Sequence, residues 1–237
     1  MRKHMKIVIL TGAGVSAESG LGTFRDKDGL WAQYDLSEVA TPEGFARNPV
    51  KVHDFYNARR ANAAEAEPNA AHFALARLAR EHVGDVVLIT QNVDDLHERA
   101  GQDAMHMHGA LSRAKCADCG AKWAAVLKMS ARDPCPTCSR PATRPDIVWF
   151  GEMPEYMDEI EVHLTTADLF VAIGTSGQVY PAAGFVVEAA RAGAATLEIN
   201  LEPSDVAGLF DDQRIGPASE TVPRWVDEVL SGASSKQ

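Results

Sequence analysis

A chain of 237 residues, 46% hydrophobic and 24% charged, has the size of one medium globular domain or of one domain with a small insertion, and can bury a core without disulfides. Its 23 basic and 33 acidic side chains give a formal net charge of −10, which disfavours a grip on nucleic acid phosphates and suits basic, lysine-rich protein partners. No apolar run is long enough to cross a bilayer, and the stretch 7–10 is too short for a signal peptide, so a cytoplasmic protein without a membrane partner is expected.

The run 6–10 is apolar without alternation, as expected of a buried parallel strand. A glycine-rich turn follows it. Residues 41–82 read as helical, with breaks near Pro42, Pro49 and Pro68, and the helix after Asn69 carries Phe73, Leu75 and Leu78. Residues 85–90 (DVVLIT) form a second buried strand, and a helix beginning at 96 stops at Gly101. Residues 113–144 hold all four cysteines, three prolines and few large apolar side chains, which describes an inserted module unable to build its own core. Strand returns over 146–150 and 168–173, followed by a helix over 182–192, a strand over 195–200 and an amphipathic helix over 222–230. The tail SGASSKQ is expected to be disordered.

This alternation predicts an α/β fold: a Rossmann-like parallel sheet with helices on both faces, plus a small inserted zinc-binding module. The expected division is a large part over about 1–40, 83–112 and 145–232, and a small part made of a helical insertion over about 41–82 and the cysteine module over about 113–144.

Four patterns carry chemistry. Gly12, Gly14 and Ala17, in GAGVSAESG, fit a loose dinucleotide fingerprint, in which small residues let backbone amides approach a pyrophosphate. The acid that usually ends the next strand is missing, so a dehydrogenase loses ground; Asn200 and Glu202, at the end of a later strand, could serve a ribose instead. Cys116, Cys119, Cys135 and Cys138 form C-x2-C-x15-C-x2-C, a spacing suited to a tetrahedral zinc ion. Four thiolates leave no open coordination position, so such a metal is structural; two disulfides or a nucleic-acid zinc ribbon are the alternatives. Thr90-Gln91-Asn92-Val93-Asp94 and Gly174-Thr175-Ser176 put polar side chains at strand ends, where open parallel sheets bind ligands, although Asn92 or Asp94 could equally cap a helix. His108, before Gly109, is a candidate acid or base, and His106 shares its face if the segment is extended. Most of the eight histidines are expected to be surface or packing residues.

These pieces, in this order, resemble the sirtuin family. The matching segments are GAGVSAESGLGTFR (12–25), TQNVDDLH (90–97), HG (108–109), the two cysteine pairs, IVWFGE (147–152), GTS (174–176), INLEP (199–203) and IGPASETVP (215–223), spanning nearly the whole chain. The resemblance implies NAD-dependent removal of acyl groups from lysine, giving nicotinamide, free lysine and acylated ADP-ribose. It implies that His108 takes a proton from a ribose hydroxyl and that Asn92 places ribose and water. Gln91 would hold the ribose and Asp94 the nicotinamide carboxamide, with Val93 between them. Gly12, Ala13, Gly14, Ser16 and Ala17, with Thr23, Phe24, Arg25 and Trp31, would surround the pyrophosphate and nicotinamide ends. Gly174, Thr175, Ser176, Asn200, Leu201, Glu202 and Ala218 would hold the adenosine half. Val148, Phe150, Gly151 and Glu152, with residues 177–180, would flank an extended acyl-lysine peptide.

Tyr56 and Arg59 lie three apart on a predicted helix and share a face; a packing tyrosine and a surface arginine is the plain reading of that pair. The Y-x-x-R also matches sirtuins that prefer acidic acyl groups, which implies desuccinylase, demalonylase or deglutarylase activity beside deacetylation, with Arg60 a weaker candidate. The family often has proline where Gly22 stands. The short ends suggest a catalytic core, expected to be monomeric. The alternatives are protein ADP-ribosyl transfer from NAD, a redox dehydrogenase and a non-enzymatic zinc-ribbon module.

Overall fold

The computed structural model describes residues 4–22 and 35–232. In chain order these form β1 (Ile7–Thr11), α1 (Gly14–Ala17), α2 (Leu36–Val39), α3 (Pro42–Arg47), α4 (Pro49–Glu65), α5 (Ala70–Glu81), β2 (Val86–Thr90), α6 (Leu96–Arg99), β3 (Met105–His106) and β4 (Gly109–Cys116). There follow β5 (Lys122–Ala124), β6 (Thr143–Ile147), α7 (Met157–Thr165), β7 (Leu169–Ile173), α8 (Phe185–Arg191), β8 (Ala195–Asn200), β9 (Asp212–Ile215) and α9 (Ala218–Ser231). Thr23, Phe24, Arg25 and Trp31 lie outside the described residues.

Six strands form one sheet in the order β3-β2-β1-β7-β8-β9, parallel throughout. β1 is central, and all five of its residues are buried. An unalternating apolar strand is stable only when both its faces are covered. On one face Val15 of α1, Leu75 and Leu78 of α5, and Val222, Trp225 and Val226 of α9 pack with Ile7, Ile9 and Val171. On the other, Ile160 and Leu164 of α7 and Phe185 and Val186 of α8 meet Val8, Leu10 and Phe170. This is the expected Rossmann-like α/β sheet with helices on both faces.

The prolines of the helical stretch act as helix starts. Pro42 and Pro49 stand first in α3 and α4, where a missing N–H breaks no intrahelical bond. The preceding Thr41 and Asn48 side chains accept from Gly44 N and Lys51 N, each at 3.0 Å. α5 begins with a capping box between Asn69 and His72. Its apolar residues belong to the core of the large sheet, so the stretch 41–82 divides: α2, α3 and α4 build a separate small core, and α5 does not join them.

A second, antiparallel sheet has the order β5-β4-β6. It corrects the strand expected over 146–150. That strand is β6, Thr143–Ile147, and it pairs with β4 rather than with the large sheet. Beyond Ile147 the backbone bonds elsewhere, with Val148 N donating to His108 O and Phe150 N to Ala40 O. Gly109 opens β4 at φ +80, and a Cβ there would lie 2.1 Å from Asp146 O, so only glycine lets the two strands meet directly after His108.

Candidate active site and metal centre

The turn after β1 meets the end of β7. Gly14 N donates to Gly174 O at 2.8 Å, and a Cβ on Gly14 would stand 2.7 Å from Gly174 Cα. Glycines therefore allow a close backbone approach at the carboxyl ends of the central strands, the place where open parallel sheets bind ligands. Part of the predicted nucleotide wall meets there. Gln91 Nε2 donates to Thr175 Oγ1 at 3.0 Å, and Asn200 Nδ2 donates to Thr175 O at 2.7 Å, linking the ends of β2, β7 and β8. Ser176 is half-buried, Leu201 and Glu202 are exposed, and Ala218 opens α9, beside α1. Ala13 is half-buried and Ala17 exposed. A backbone cradle flanked by amide and hydroxyl groups suits a dinucleotide.

Beneath this wall lies a buried polar network. Asn92 donates from Nδ2 to Ser16 Oγ at 3.2 Å, and its backbone N donates to Thr90 Oγ1 at 3.0 Å. Thr11 Oγ1 donates to Thr90 Oγ1 at 2.8 Å and lies 3.0 Å from His97 Nε2. Ser16 Oγ lies 3.5 Å from His72 Nε2, and the rings of His72 and His97 are 4.9 Å apart. Burial pushes His72 down to about 4 and His97 well below the usual imidazole range, so both rings are neutral at pH 7. Sequence reasoning missed both, because a single chain gives no signal that separates a network histidine from a packing one. Val93 is buried, and its carbonyl accepts from Leu111 N at 2.7 Å. Asp94 accepts from Leu96 N at 3.2 Å in a turn just before α6, whose N-cap is Asp95 without a side-chain cap bond, so neither Asn92 nor Asp94 caps that helix. Burial raises the pKa of Asp94, opposed by that bond and by Ser16.

His108 is half-buried, and its Nδ1 lies 3.3 Å from Gln91 O. The carbonyl can only accept, so Nδ1 carries the proton and Nε2 keeps its lone pair. Burial lowers the pKa of His108, partly offset by the Gln91 bond, which keeps the ring in its proton-accepting form at pH 7.

Tyr56 and Arg59 do share one side of α4. Tyr56 is buried, and its hydroxyl accepts from Trp149 Nε1 at 3.0 Å. Burial raises the phenol pKa, so its own proton stays on. Arg59 is half-buried, with its guanidinium 5.8 Å from the Phe55 and Tyr56 ring centroids. Burial works against its charge, while Tyr56 and then Asp94 favour it. Arg60 points elsewhere, donating to Leu111 O and Asn57 Oδ1. Behind Trp149, Arg144 stacks 3.6 Å from the ring centroid and grips both oxygens of Glu152 at 2.8 and 2.9 Å. Glu152 therefore anchors its loop from within. Val148 is half-buried, while Gly151 and the 50% exposed Phe150 face outward.

The four cysteines come together as their spacing predicts. Sγ atoms are 3.7 Å apart for Cys116–Cys138 and for Cys119–Cys135, and all four lie within 4.8 Å of one another. Thiolates about 2.3 Å from a tetrahedral zinc ion sit about 3.8 Å apart, whereas a disulfide needs about 2 Å. Backbone N–H groups of Asp118 and Cys119 point at Cys116 Sγ, and those of Thr137 and Cys138 at Cys135 Sγ, as negative sulfur requires. The cluster can hold one zinc ion, with all four positions filled by protein.

Comparison with known proteins agrees with this geometry. The profile of the Sir2 family matches residues 12–181. The chain belongs to the Sir2 family. An NAD-dependent protein deacylase of Caulobacter vibrioides is 59% identical over 236 residues, covering 98% of this chain and 99% of that protein. A solved Sir2 homologue in complex with NAD is 40% identical with a TM-score of 0.88, over 97% of this chain and 91% of that one. Another Sir2 structure, bound to acetylated peptide, is 28% identical with a TM-score of 0.79, over 96% and 94% of the two chains. Among the described residues of this Sir2 chain, no helix is long and apolar enough to cross a membrane.

Proposed function

We propose that this chain is an NAD-dependent protein-lysine deacylase that removes acetyl groups and also the acidic succinyl, malonyl or glutaryl groups. The observation that carries the reading is the meeting of Gln91, Asn92 and His108 with the Gly12–Gly174 cradle. Close relatives of deacylase activity, and neighbours seen with NAD or acetylated peptide, support it. Bound NAD supplies a ribose carbon that accepts the acyl oxygen as nicotinamide leaves. The chain's own part is then positional and acid–base. Gln91, Thr175 and Asn200 orient the ribose and adenosine side, Asn92 fixes the ribose against Ser16, and Asp94 faces the carboxamide. His108, held neutral with Nε2 free to accept, takes the ribose hydroxyl proton. Residues 148–152 and 177–180 lay out the peptide by strand addition. The four-cysteine centre supports the small sheet and takes no part in the chemistry. Reduced cysteines fit the cytoplasm, the location we assign, and the working unit is a monomer.

Acidic-acyl selectivity rests on Tyr56 and Arg59. A guanidinium pairs with a carboxylate through two parallel bonds, and a neutral phenol adds a donor. The test of the overall reading is mass spectrometry of wild type and His108→Tyr with NAD and a panel of acyl-lysine peptides. Wild type is expected to release nicotinamide and O-acyl-ADP-ribose, and the variant to be inactive while folded and metal-loaded. Substantial deacylation by His108→Tyr removes the histidine from this role, and ADP-ribose appearing on protein favours the transferase.

A further inference from the structure

His106 and His108 grip two consecutive carbonyls. His108 Nδ1 faces Gln91 O at 3.3 Å, and His106 Nδ1 faces Asn92 O at 2.9 Å. Their other nitrogens differ. Among the described residues no further partner is found for His108, whereas His106 Nε2 lies 2.9 Å from Glu98 Oε1. That oxygen also accepts from Ala104 N at 3.2 Å, which leaves it an acceptor toward His106 as well. His106 thus stands, 7% exposed, between two groups that only accept. A neutral imidazole has one N–H and can satisfy one of them; the imidazolium satisfies both.

We propose that His106 is a positioning residue for the deacylase reaction: as the imidazolium of a buried His106–Glu98 pair, it clamps the Asn92 carbonyl and holds the 91–94 turn in register with His108. The surroundings are consistent with the charge. Burial opposes ionisation of both partners, and their pairing outweighs it, so His106 is pushed up and Glu98 down. From α6 Glu98 and the neutral His97 face His106, from the turn after β2 Asp94, and from β4 Arg113. Arg113 is the one like charge of the set, and it is itself paired with Asp146 at 2.8 Å and Glu155 at 3.0 Å. On deprotonation one N–H must serve two acceptors, so either Asn92 O or Glu98 is released. Activity then fails on the alkaline side through His106, while protonation of His108 limits it on the acid side.

The kinetic consequence rests on the deacylase reading; the protonation state does not, and the test separates them. In the full chain labelled with 15N-histidine, the His106 ring is expected to show two protonated nitrogens at pH 7.5. The amide resonances of residues 91–94 are expected to move together with its titration. Glu98→Gln removes the carboxylate and is expected to bring that titration to lower pH by about one unit or more, equivalent to about tenfold in proton affinity. The alkaline limb of kcat/KM for an acyl-lysine peptide should move by the same amount. A singly protonated His106 ring at pH 7.5, amides 91–94 that ignore its titration, or an alkaline limb unmoved by Glu98→Gln each overturns the proposal. Absence of any acyl-peptide turnover contradicts the deacylase reading instead, and the resonances still decide whether His106 clamps the turn.

Discussion

Tyr56 Oη accepts from Trp149 Nε1, a bond that fixes the phenol and uses none of its own O–H, the donor that the proposed reading turns toward an acyl carboxylate. The two residues are 93 apart in sequence, joined by the 3.0 Å bond from the indole. Trp149→Phe keeps an aromatic ring but deletes that donor, leaving the buried phenol without the indole bond; a loss of about 1–3 kcal/mol is expected from urea titration. Arg59→Met removes the guanidinium but not the helix face. It is expected to lower kcat/KM on succinyl-lysine peptide by tenfold or more, the scale of about 1.4 kcal/mol, with the acetyl-lysine value little changed. An equal fall on both substrates would show that Arg59 does not read the acyl carboxylate. The Y-x-x-R pair was legible in sequence because helical spacing alone puts it on one face. Trp149, Arg144 and the Ser16–His72 contact were not, since their partners lie on other elements at separations that no local pattern encodes.

The elements divide by the same logic. β1, β2 and β7 were found from continuous apolar runs, which only strands covered on both faces require; β8, ATLEIN, was read as a strand although polar residues alternate along it. β9 was not: its DQRI sequence is polar and mostly exposed, as an edge strand permits. β6 was displaced because its Thr-Arg-Pro-Asp-Ile sequence hides buried polar groups behind specific partners, Arg144 with Glu152 and Asp146 with Arg113. The cysteine spacing was readable, but its mechanical link to the site was not. Lys122 on β5 and Arg113 on β4 both contact Asp146 and Glu155, and Glu155 N donates to Met107 O beside His108. Loss of the metal should therefore loosen the loop after β6, proposed to flank the substrate, as well as the module. For Cys135→Ser, elemental analysis is expected to show less than one zinc per chain and thermal melting a lower Tm, with deacylation falling in parallel. Full activity without zinc would break that link.

At the scale of the molecule, the buried neutral histidines make stability depend on pH. His72 has a folded pKa of about 4 against an ordinary 6.5, and His97 is shifted the same way. Between those values the unfolded chain binds more protons, so the stabilisation is complete above pH 6.5 and is lost as pH falls toward 4. His72 alone accounts for roughly 3 kcal/mol of that loss. Urea midpoints measured from pH 7 to pH 4 should fall steeply, and less steeply in His72→Asn. The fold class, the four-cysteine cluster and the strand-end motifs were legible at this scale. The division of the helical stretch was not, because α4 and α5 look alike until their apolar faces meet different sheets.

The proposed acyl transfer to the nucleotide, with His108 and Asn92 at its centre, is the most direct point of test. An acyl-lysine peptide carrying a heavy isotope in its acyl group is incubated with NAD and the full chain, and the products are weighed. The label is expected in O-acyl-ADP-ribose, with one nicotinamide released for each lysine freed. Label in free carboxylic acid with NAD intact, or ADP-ribose attached to protein while the acyl group stays on lysine, would contradict it.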